Sequence, residues 1–452
     1  MIGSEKIISY SKFTFLLLRE GKVFIVNQAS GKEIIYSIES LDIFNEIKNY
    51  PRSINDIYKA VYSQFLPHYK DLIIKDIDNI LNQLELEGFI DVCETSTKKP
   101  KLFKTFSLKN FIPKLSNITI ELTNRCNEKC IHCFLGENKF KNSHYLDLES
   151  LKKIITQFVN MGGTSITFTG GEILIYPHIK DVLEYSHSYG LGISLFSNLI
   201  SLNQDHIDLF KKLNINDIQT SLYSHIPATH NKITNLKNSC EKTINSIKKL
   251  RKAGLPIRIA CPVMKANRND IIGVIKFCKQ NSLDLNIDIS IQGQCDGNLE
   301  NLAQRLSLEE MKETLMIIKN YDRDFCNRYV RRHCHNKNIS PIEFINLPIC
   351  SAGHDNLYIN SNGDVSACPT FQGYRLGNLK HEDLHIIWTT NKKLLEIRNS
   401  TQTSFPECLN CDCIEFCGRC FAINFVENKD IWKVPKYRCK LAKIQKEISE
   451  IG

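Results

Sequence analysis

The sequence predicts an α/β protein. A parallel sheet with helical crossovers is preceded by a winged-helix unit and followed by a cysteine-rich one. Between residues 117 and 321, strand-like and helix-like segments alternate six times, the order a parallel sheet with crossover helices requires. Most of those strands are near-continuous apolar or β-branched runs, as strands covered on both faces read. Outside that stretch the pattern changes, to strands and three helical periods before residue 95 and to nine cysteines after residue 326, seven of them in a spaced pattern. The expected divisions are residues 1–95, a linker at 96–112, residues 113–325 and residues 326–452.

The chain has 452 residues, enough for two or three domains with a sizeable core. Apolar residues make up 42% and charged residues 24%, ordinary for a soluble globular protein. Lys+Arg 58 against Asp+Glu 49 gives a net charge of +9 without a block of like charge. That balance suits an acidic peptide partner and does not call for nucleic acid. The apolar stretch Phe13–Leu18 is short and followed at once by Arg19-Glu20, so it is no signal peptide. No run is long enough to span a bilayer. The expectation is a cytoplasmic protein with no membrane partner. Its 18 cysteines then point to metal ligation rather than disulfides.

In residues 1–95, Phe13–Leu18 and Lys22–Asn27 flank the turn Arg19-Glu20-Gly21, a hairpin signal, and Glu33–Ile38 follows Ser30-Gly31. Three helical periods come next. Ser40–Tyr50 carries Leu41, Phe44 and Ile47; Ser53–Phe65 opens with a capping serine and Asp56 three residues on; Lys70–Glu87 places Ile73, Ile74, Ile77, Ile80, Leu81 and Leu84 on one face. Gly88 stops that helix, and Phe89–Val92 reads as a short final strand. A winged helix commonly binds DNA. Here the last helix is acidic, with Asp71, Asp76, Asp78, Glu85 and Glu87, whereas a recognition helix should be basic. Peptide binding by strand addition at a sheet edge is the favoured reading. The polar, proline-broken Thr95–Lys104 is the linker.

The six expected strands are Asn117–Thr123, Ser165–Thr169, Gly192–Ser197, Asp217–Tyr223, Ile257–Val263 and Leu285–Ile291. Their helices are Leu148–Met161, Pro177–Tyr189, Asp205–Leu213, Cys240–Ala253, Asp270–Gln280 and Leu308–Tyr321. An open doubly wound sheet and a partial barrel both fit, and in both the chemistry collects at the strands' carboxyl ends. Just after the first strand stand Cys126, Cys130 and Cys133, spaced C-x3-C-x2-C. Three thiolates can hold three irons of a cubane cluster and leave the fourth open. A zinc knuckle or half of a disulfide set is the plainer alternative, although the triplet has no local fourth ligand. The second strand ends in Thr169-Gly170-Gly171-Glu172, where two glycines admit a ligand to the backbone and a carboxylate can grip an ammonium. The third ends in Ser197-Asn198 and the fourth in Ser221-Leu222-Tyr223-Ser224.

The cysteine triplet after one strand and Gly170-Gly171-Glu172 after the next resemble the radical S-adenosylmethionine enzymes. That resemblance implies a partial (β/α)6 TIM-like barrel. It implies that Cys126, Cys130 and Cys133 hold a [4Fe–4S] cluster whose open iron takes the amino and carboxylate groups of S-adenosylmethionine. Gly170, Gly171 and Glu172 would line the amino group, His132 the adenine, and Ser221 and Asn198 the ribose side. Electron transfer from the cluster would split the sulfonium and yield a 5′-deoxyadenosyl radical that takes hydrogen from substrate. The cofactor carries this chemistry and the protein positions it.

Downstream, Cys350 and Cys368 flank the turn Asn360-Ser361-Asn362-Gly363-Asp364. Then follow Cys408, Cys411, Cys417, Cys420 and finally Cys439. Such spacing is a metal signal, for two zinc sites or for iron–sulfur clusters. It resembles the SPASM iron–sulfur extension of radical enzymes that modify peptides, which implies two auxiliary [4Fe–4S] clusters. By matching positions, Cys408, Cys411, Cys417 and Cys439 hold the second, and Cys350, Cys368 and Cys420 the first. Cys417-Gly418-Arg419-Cys420 is one residue shorter than the commoner pattern and resembles the subtilosin-type thioether maturases. Cys413 is extra and could compete with Cys411. The first cluster is one cysteine short: either Cys334, in His333-Cys334-His335, completes it, or one iron stays open for a substrate thiolate. Cys93, Cys240, Cys261, Cys278, Cys295 and Cys326 read as buried free thiols.

The first unit is similar to the PqqD-like leader-binding element of ribosomal-peptide pathways. The expected function is therefore a peptide maturase that forms a sulfur-to-carbon thioether, with a precursor peptide and an electron donor such as flavodoxin or ferredoxin as partners. Its rivals are carbon–carbon crosslinking, formylglycine formation in sulfatases and haem tailoring. From another class comes a redox-sensing winged-helix regulator, which would need neither the Gly-Gly-Glu turn nor six βα units.

Overall fold

The computed structural model describes residues 6–10, 14–19, 22–27, 32–37, 40, 43–44, 46–47, 52–62, 70–93, 106–107, 115–136, 144–330 and 348–451. The chain divides into two compact units, Met1–Pro113 and Lys114–Gly452.

In the first unit, β1 (Ile7–Tyr10) lies between β5 (Arg52–Ser53) and β6 (Ile90–Cys93), antiparallel to both. A second sheet runs β4 (Lys32–Ser37), β3 (Lys22–Asn27), β2 (Thr14–Arg19) and β7 (Phe106–Ser107). The expected hairpin strands β2 and β3 pair antiparallel from Thr14–Asn27 to Arg19–Lys22. The final strand, β6, takes β1 as its partner. β7 falls inside the expected linker and runs parallel to β2. Helix α1 (Ile54–Tyr62) starts as expected, with the Ser53 hydroxyl accepting from Asp56 N at 3.2 Å. Helix α2 (Lys70–Leu86) buries Ile77, Leu81 and Leu84. It ends where Gly88 turns left-handed at φ +78° and Phe89 N donates back to Leu84 O at 2.8 Å. The turn at Glu20-Gly21, Ser30-Gly31, much of Ser40–Tyr50 and Thr95–Lys104 lie outside the described residues.

The second unit is built on one sheet. Six parallel strands, β8 (Asn117–Glu121), β9 (Ser165–Thr169), β10 (Gly192–Phe196), β11 (Asp217–Ser221), β12 (Ile257–Pro262) and β13 (Asp284–Asp288), pair in chain order. Crossovers are supplied by α3 (Leu148–Asn160), α4 (Ile179–Ser188), α5 (Gln204–Lys212), the pair α6 (Pro227–Thr234) and α7 (Ser239–Lys252), and α8 (Ile271–Gln280). Helices α9 (Leu308–Tyr321) and α10 (Arg323–Val330) follow β13. Local chemistry sets the starts: Asp147 caps α3 by accepting from Ser150 N, and Ser307 and Glu310 form a capping box on α9.

Burial along these strands alternates, which differs from the expectation of strands covered equally on both faces. Ile118, Ile120, Ile166, Phe168, Ile193, Leu195, Ile218 and Ile259 are buried in the main core. Their neighbours Thr119, Thr167, Ser194, Gln219 and Arg258 are half-buried. A side-chain period of two makes these separate faces. One packs in the core; the other is polar and half open. This is an α/β fold with the central parallel sheet of a TIM-like partial barrel.

The cysteine-rich segment continues the same sheet. β14 (Asn356–Ile359) pairs parallel with β8, and β15 (Asp364–Ser366) and β16 (Gly377–Asn378) extend it antiparallel. The turn predicted between Cys350 and Cys368 joins β14 to β15, with Gly363 at φ +83°. Helices α11 (Leu384–Thr390), α12 (Lys392–Arg398), α13 (Phe421–Asn428) and α14 (Lys436–Glu450) complete the unit. No helix among the described residues is long and apolar enough to cross a membrane.

Candidate active site

The cysteine loop leaves the carboxyl end of β8 and is tied on two sides. Leu122 N donates to Thr169 O, while Lys129 N and Ile131 N donate to Thr234 O and Ile233 O at the end of α6. Beneath it Glu128 is buried. Ser239 Oγ donates to Glu128 Oε1 at 2.5 Å, and Ser239 lies 3.1 Å from His230 Nε2. Tyr223 N donates to His230 Nδ1. The ring proton therefore sits on Nε2 and goes to the serine. Burial drops the His230 pKa to about 4, which keeps this ring neutral. The relay fixes Glu128 under the cysteines, and the Cys130 thiol reaches its other oxygen at 3.8 Å.

The turn after β9 closes against that loop. Gly171 N donates to Thr123 O and Glu172 N to Arg125 O. A β-carbon on Gly170 would stand 2.6 Å from Thr123 O; one on Gly171 would stand 2.1 Å from Arg125 O. Only glycine lets these two backbones approach. Glu172 is buried, and its oxygens accept from Leu174 N at 2.9 Å, Ser197 Oγ at 2.6 Å and Asn198 N at 2.7 Å. Burial outweighs these donors and pushes its pKa up to about 7. The carboxylate expected to grip a ligand thus first holds the ends of β9 and β10 together.

Asn198 reaches the cysteine loop through Nδ2, which donates to Asn127 Oδ1 at 2.6 Å and points at Cys126 Sγ at 3.9 Å. Glu128 N donates to the same sulfur at 3.5 Å. Hydrogen bonds of this kind favour a thiolate. His132 packs edge-on against Tyr223, ring centres 4.8 Å apart, and the Tyr223 hydroxyl lies 3.8 Å from Cys130 Sγ. The Ser221 hydroxyl hydrogen-bonds Tyr223. Glu172, Asn198 and Tyr223, from the ends of β9, β10 and β11, thus all bear on the cysteine loop or on the residues that hold it.

The later cysteines separate into two groups. Burial, then the neighbouring Cys420 and Cys368, pushes the Cys350 thiol up to about 12; burial and Cys420 bring Cys368 to about 11. Cys417 is pushed up to about 11 by burial, with Cys439 and Cys408 contributing, and Cys408 is raised by burial, Cys439 and Cys411. The first group is thus Cys350, Cys368 and Cys420, and the second Cys408, Cys411, Cys417 and Cys439. The extra Cys413 is buried, and its thiol donates to Asp412 Oδ1 at 3.4 Å. Cys334 lies outside the described residues. Among the free thiols, Cys240, Cys261, Cys278 and Cys326 are buried as expected, but Cys295 is only half-buried and sits in a loop.

The donor set fits iron–sulfur groups. Thiols occur in clustered threes and fours, backbone and amide N–H groups aim at sulfur, and glycines clear the loop's rim. Arg419 adds a buried guanidinium, 7% exposed, whose Nε and Nη1 have no hydrogen-bond partner among the described residues. Cys417, Cys408 and Cys411 surround it. A cluster's sulfur atoms are acceptors such donors would serve.

Sequence reasoning gave no role to Glu128, Asn127, Ser239 or Arg419, and named Tyr223 only as part of the turn after the fourth strand. Glu128 carried no signal of its own, since a glutamate between two cysteines of a loop can as well face solvent. Ser239 and His230 carried none, because only tertiary packing brings α6 and α7 under the loop.

Residues 120–278 match the radical SAM superfamily and residues 350–412 the SPASM iron–sulfur cluster-binding domain. The chain is 25% identical over 378 residues to the antilisterial bacteriocin subtilosin biosynthesis protein AlbA of Bacillus subtilis, covering 82% of this chain and 80% of that one. It is 24% identical over 201 residues to the sporulation killing factor maturation protein SkfB of the same organism, covering 44% of this chain and 48% of that one. Streptococcus suis SuiB bound to its precursor peptide SuiA superposes with a TM-score of 0.60 at 16% identity, over 95% of this chain and 99% of that one. These domains imply [4Fe–4S] clusters and S-adenosylmethionine as cofactors. The chain carries a radical SAM domain at residues 120–278 and a SPASM domain at residues 350–412, the make-up of a radical SAM enzyme.

Proposed function

We propose that this enzyme matures a ribosomally synthesised peptide and closes an intramolecular sulfur-to-carbon thioether. The observation that carries the reading is the pairing of β8 with β14. These parallel neighbours set the segment that carries Cys350 and Cys368 directly beside the strand that leads into Cys126, Cys130 and Cys133, within one sheet. The similarity to AlbA along four-fifths of its length and the short Cys417-Gly418-Arg419-Cys420 run favour thioether formation over other peptide chemistry.

In this reading Cys126, Cys130 and Cys133 hold the radical-generating cluster. With S-adenosylmethionine bound, that group supplies a 5′-deoxyadenosyl radical able to take hydrogen from carbon. The protein's part is placement. The Gly170-Gly171 backbone lines the amino group, Glu172 lies beneath it, His132 and Tyr223 flank the adenine, and Asn198 and Ser221 the ribose side. Joining sulfur to carbon removes one hydrogen from each, a two-electron oxidation of the peptide. The sets Cys350, Cys368, Cys420 and Cys408, Cys411, Cys417, Cys439 would hold auxiliary clusters, which would supply an acceptor for the electron left on the peptide. A flavodoxin or ferredoxin supplies the starting electron. Residues 1–95 hold the leader. In the described sheet β4 is an edge strand with Ile35 49% exposed, the form that accepts an added strand.

Co-expression with a short cysteine-containing precursor tests this. The expected product has lost two hydrogens and one alkylatable thiol per crosslink. A product that keeps every free thiol overturns the thioether reading.

A further inference from the structure

The first auxiliary set has three thiols, and a [4Fe–4S] cluster commonly takes four. The structure brings another cysteine to it. Cys295 lies in the loop after β13, far from the others in sequence and unlike the core thiols in being half-buried. Its backbone N donates to Phe134 O at 2.8 Å, so the loop is fastened to the residue after Cys133. Its thiol points the other way and donates to Pro369 O at 3.7 Å, on the residue after Cys368.

The two segments are built to approach. A β-carbon on Gly373 would stand 3.1 Å from Cys295 O and 3.1 Å from the Phe425 ring, so glycine there gives the turn beyond Cys368 a close approach to the Cys295 loop. Gln372 Nε2 donates to the same Pro369 oxygen at 3.0 Å and to the Tyr358 hydroxyl at 3.1 Å. Tyr358 in turn donates to buried Glu121 at 2.6 Å. The Cys295 loop is itself held in shape, with Gln294 N donating to Asn298 O and Gly297 at φ +88°. Asn301 Nδ2 bonds Gln292 O at 2.8 Å and His132 O at 3.3 Å. A rigid loop therefore presents one thiol to the turn that carries Cys368.

We propose that Cys295 is the fourth thiolate of the first auxiliary cluster. The inference rests on the reading that Cys350, Cys368 and Cys420 hold that cluster. Pro369 O is the thiol's partner while it carries its proton. On cluster assembly the thiol gives that proton to solvent and its sulfur turns to iron, with no change of oxidation state in the exchange. With Cys295 as ligand, the first auxiliary set would have four thiolates and leave no iron open in the resting enzyme.

The test uses the full chain with Cys126, Cys130 and Cys133 replaced by alanine, reconstituted so that only auxiliary clusters contribute. Cys295→Ala and Cys295→Ser are added separately, with Cys334→Ala in parallel, and each reduced sample is examined by electron paramagnetic resonance with and without cyanide. The parent spectrum should ignore cyanide. Cys295→Ala should acquire a cyanide-shifted signal, Cys295→Ser a shifted signal without it, and Cys334→Ala should match the parent. A parent that already responds to cyanide, a Cys334→Ala variant that opens the cluster, or Cys295 variants identical to the parent would each overturn the proposal. Iron content separates the underlying reading: replacing Cys350, Cys368 and Cys420 together should remove one cluster's iron, whatever Cys295 does. If it removes none, the three-cysteine assignment fails first.

Discussion

Ser239 donates to Glu128 at 2.5 Å across 111 residues, joining the first residue of α7 to the middle of the cysteine loop. This one contact ties a crossover helix to the loop that carries Cys126, Cys130 and Cys133. Because Glu128 is buried, the donor is hard to replace with water. Removing one partner of a buried hydrogen bond costs about 1–3 kcal/mol, more when the group left is charged. Ser239→Ala should lower the thermal midpoint and hasten loss of the cluster's visible absorbance in chelator, while Ser239→Thr should recover most of both. Unchanged cluster lifetime in Ser239→Ala would remove the relay's role in holding the loop.

Gly171→Ala should fail in a different way. Its new methyl would meet Arg125 O at 2.1 Å and Asn124 O at 2.6 Å, both backbone atoms of the cysteine loop's entry. Backbone cannot step aside as a flexible side chain can, and overpacking of this kind costs about 1–3 kcal/mol or more. The expected outcome is weakened S-adenosylmethionine binding by calorimetry, with auxiliary iron retained. Wild-type affinity in this variant would show that the two backbones are free to part.

Glu172 gives a pH signature. Folding raises its pKa from 4.5 to about 7, chiefly by burial. The folded chain then binds the proton more tightly than the unfolded one. The resulting stability is complete below about pH 4.5 and lost as pH rises through about 7. At full effect this is about 3 kcal/mol. Urea unfolding across that window should show the slope, and Glu172→Gln should flatten it whatever its own fixed cost. An equal slope in both proteins would assign the titration to another group.

Much of this site was legible because its signals are local. The spacing of Cys126, Cys130 and Cys133 and the Gly170-Gly171-Glu172 turn follow strands whose apolar runs are unmistakable, and chain order places them at one sheet end. Helix α9 has the predicted bounds because Ser307 and Glu310 write its start. What could not be read depends on tertiary partners. The alternation of burial along β9 and β10 needs knowledge of which face the helices cover. The pairing of β14 with β8 joins residues more than two hundred positions apart. Cys295 looked like any other solitary thiol, since its relation to Cys368 exists only through the loop after β13.

Arg305 tests how firmly the two cysteine fields are joined. It follows the barrel, and its guanidinium pairs with Glu427 of α13 through both oxygens while the two side chains are 10% and 11% exposed. Its Nε also donates to Ile291 O at 2.7 Å, and its plane lies over Tyr437 at 4.6 Å. Breaking a buried pair by removing one partner costs about 3–5 kcal/mol, because the other charge stays buried. Arg305→Ala should therefore destabilise the enzyme strongly. Arg305→Lys should recover part of that loss, since lysine keeps the charge without the two-pronged geometry. The double variant Arg305→Met with Glu427→Leu should be milder than Arg305→Ala, as it leaves no orphan charge. Thermal unfolding of the four proteins decides this, and a double variant as unstable as Arg305→Ala would mean that packing on Tyr437, rather than the ion pair, holds this junction.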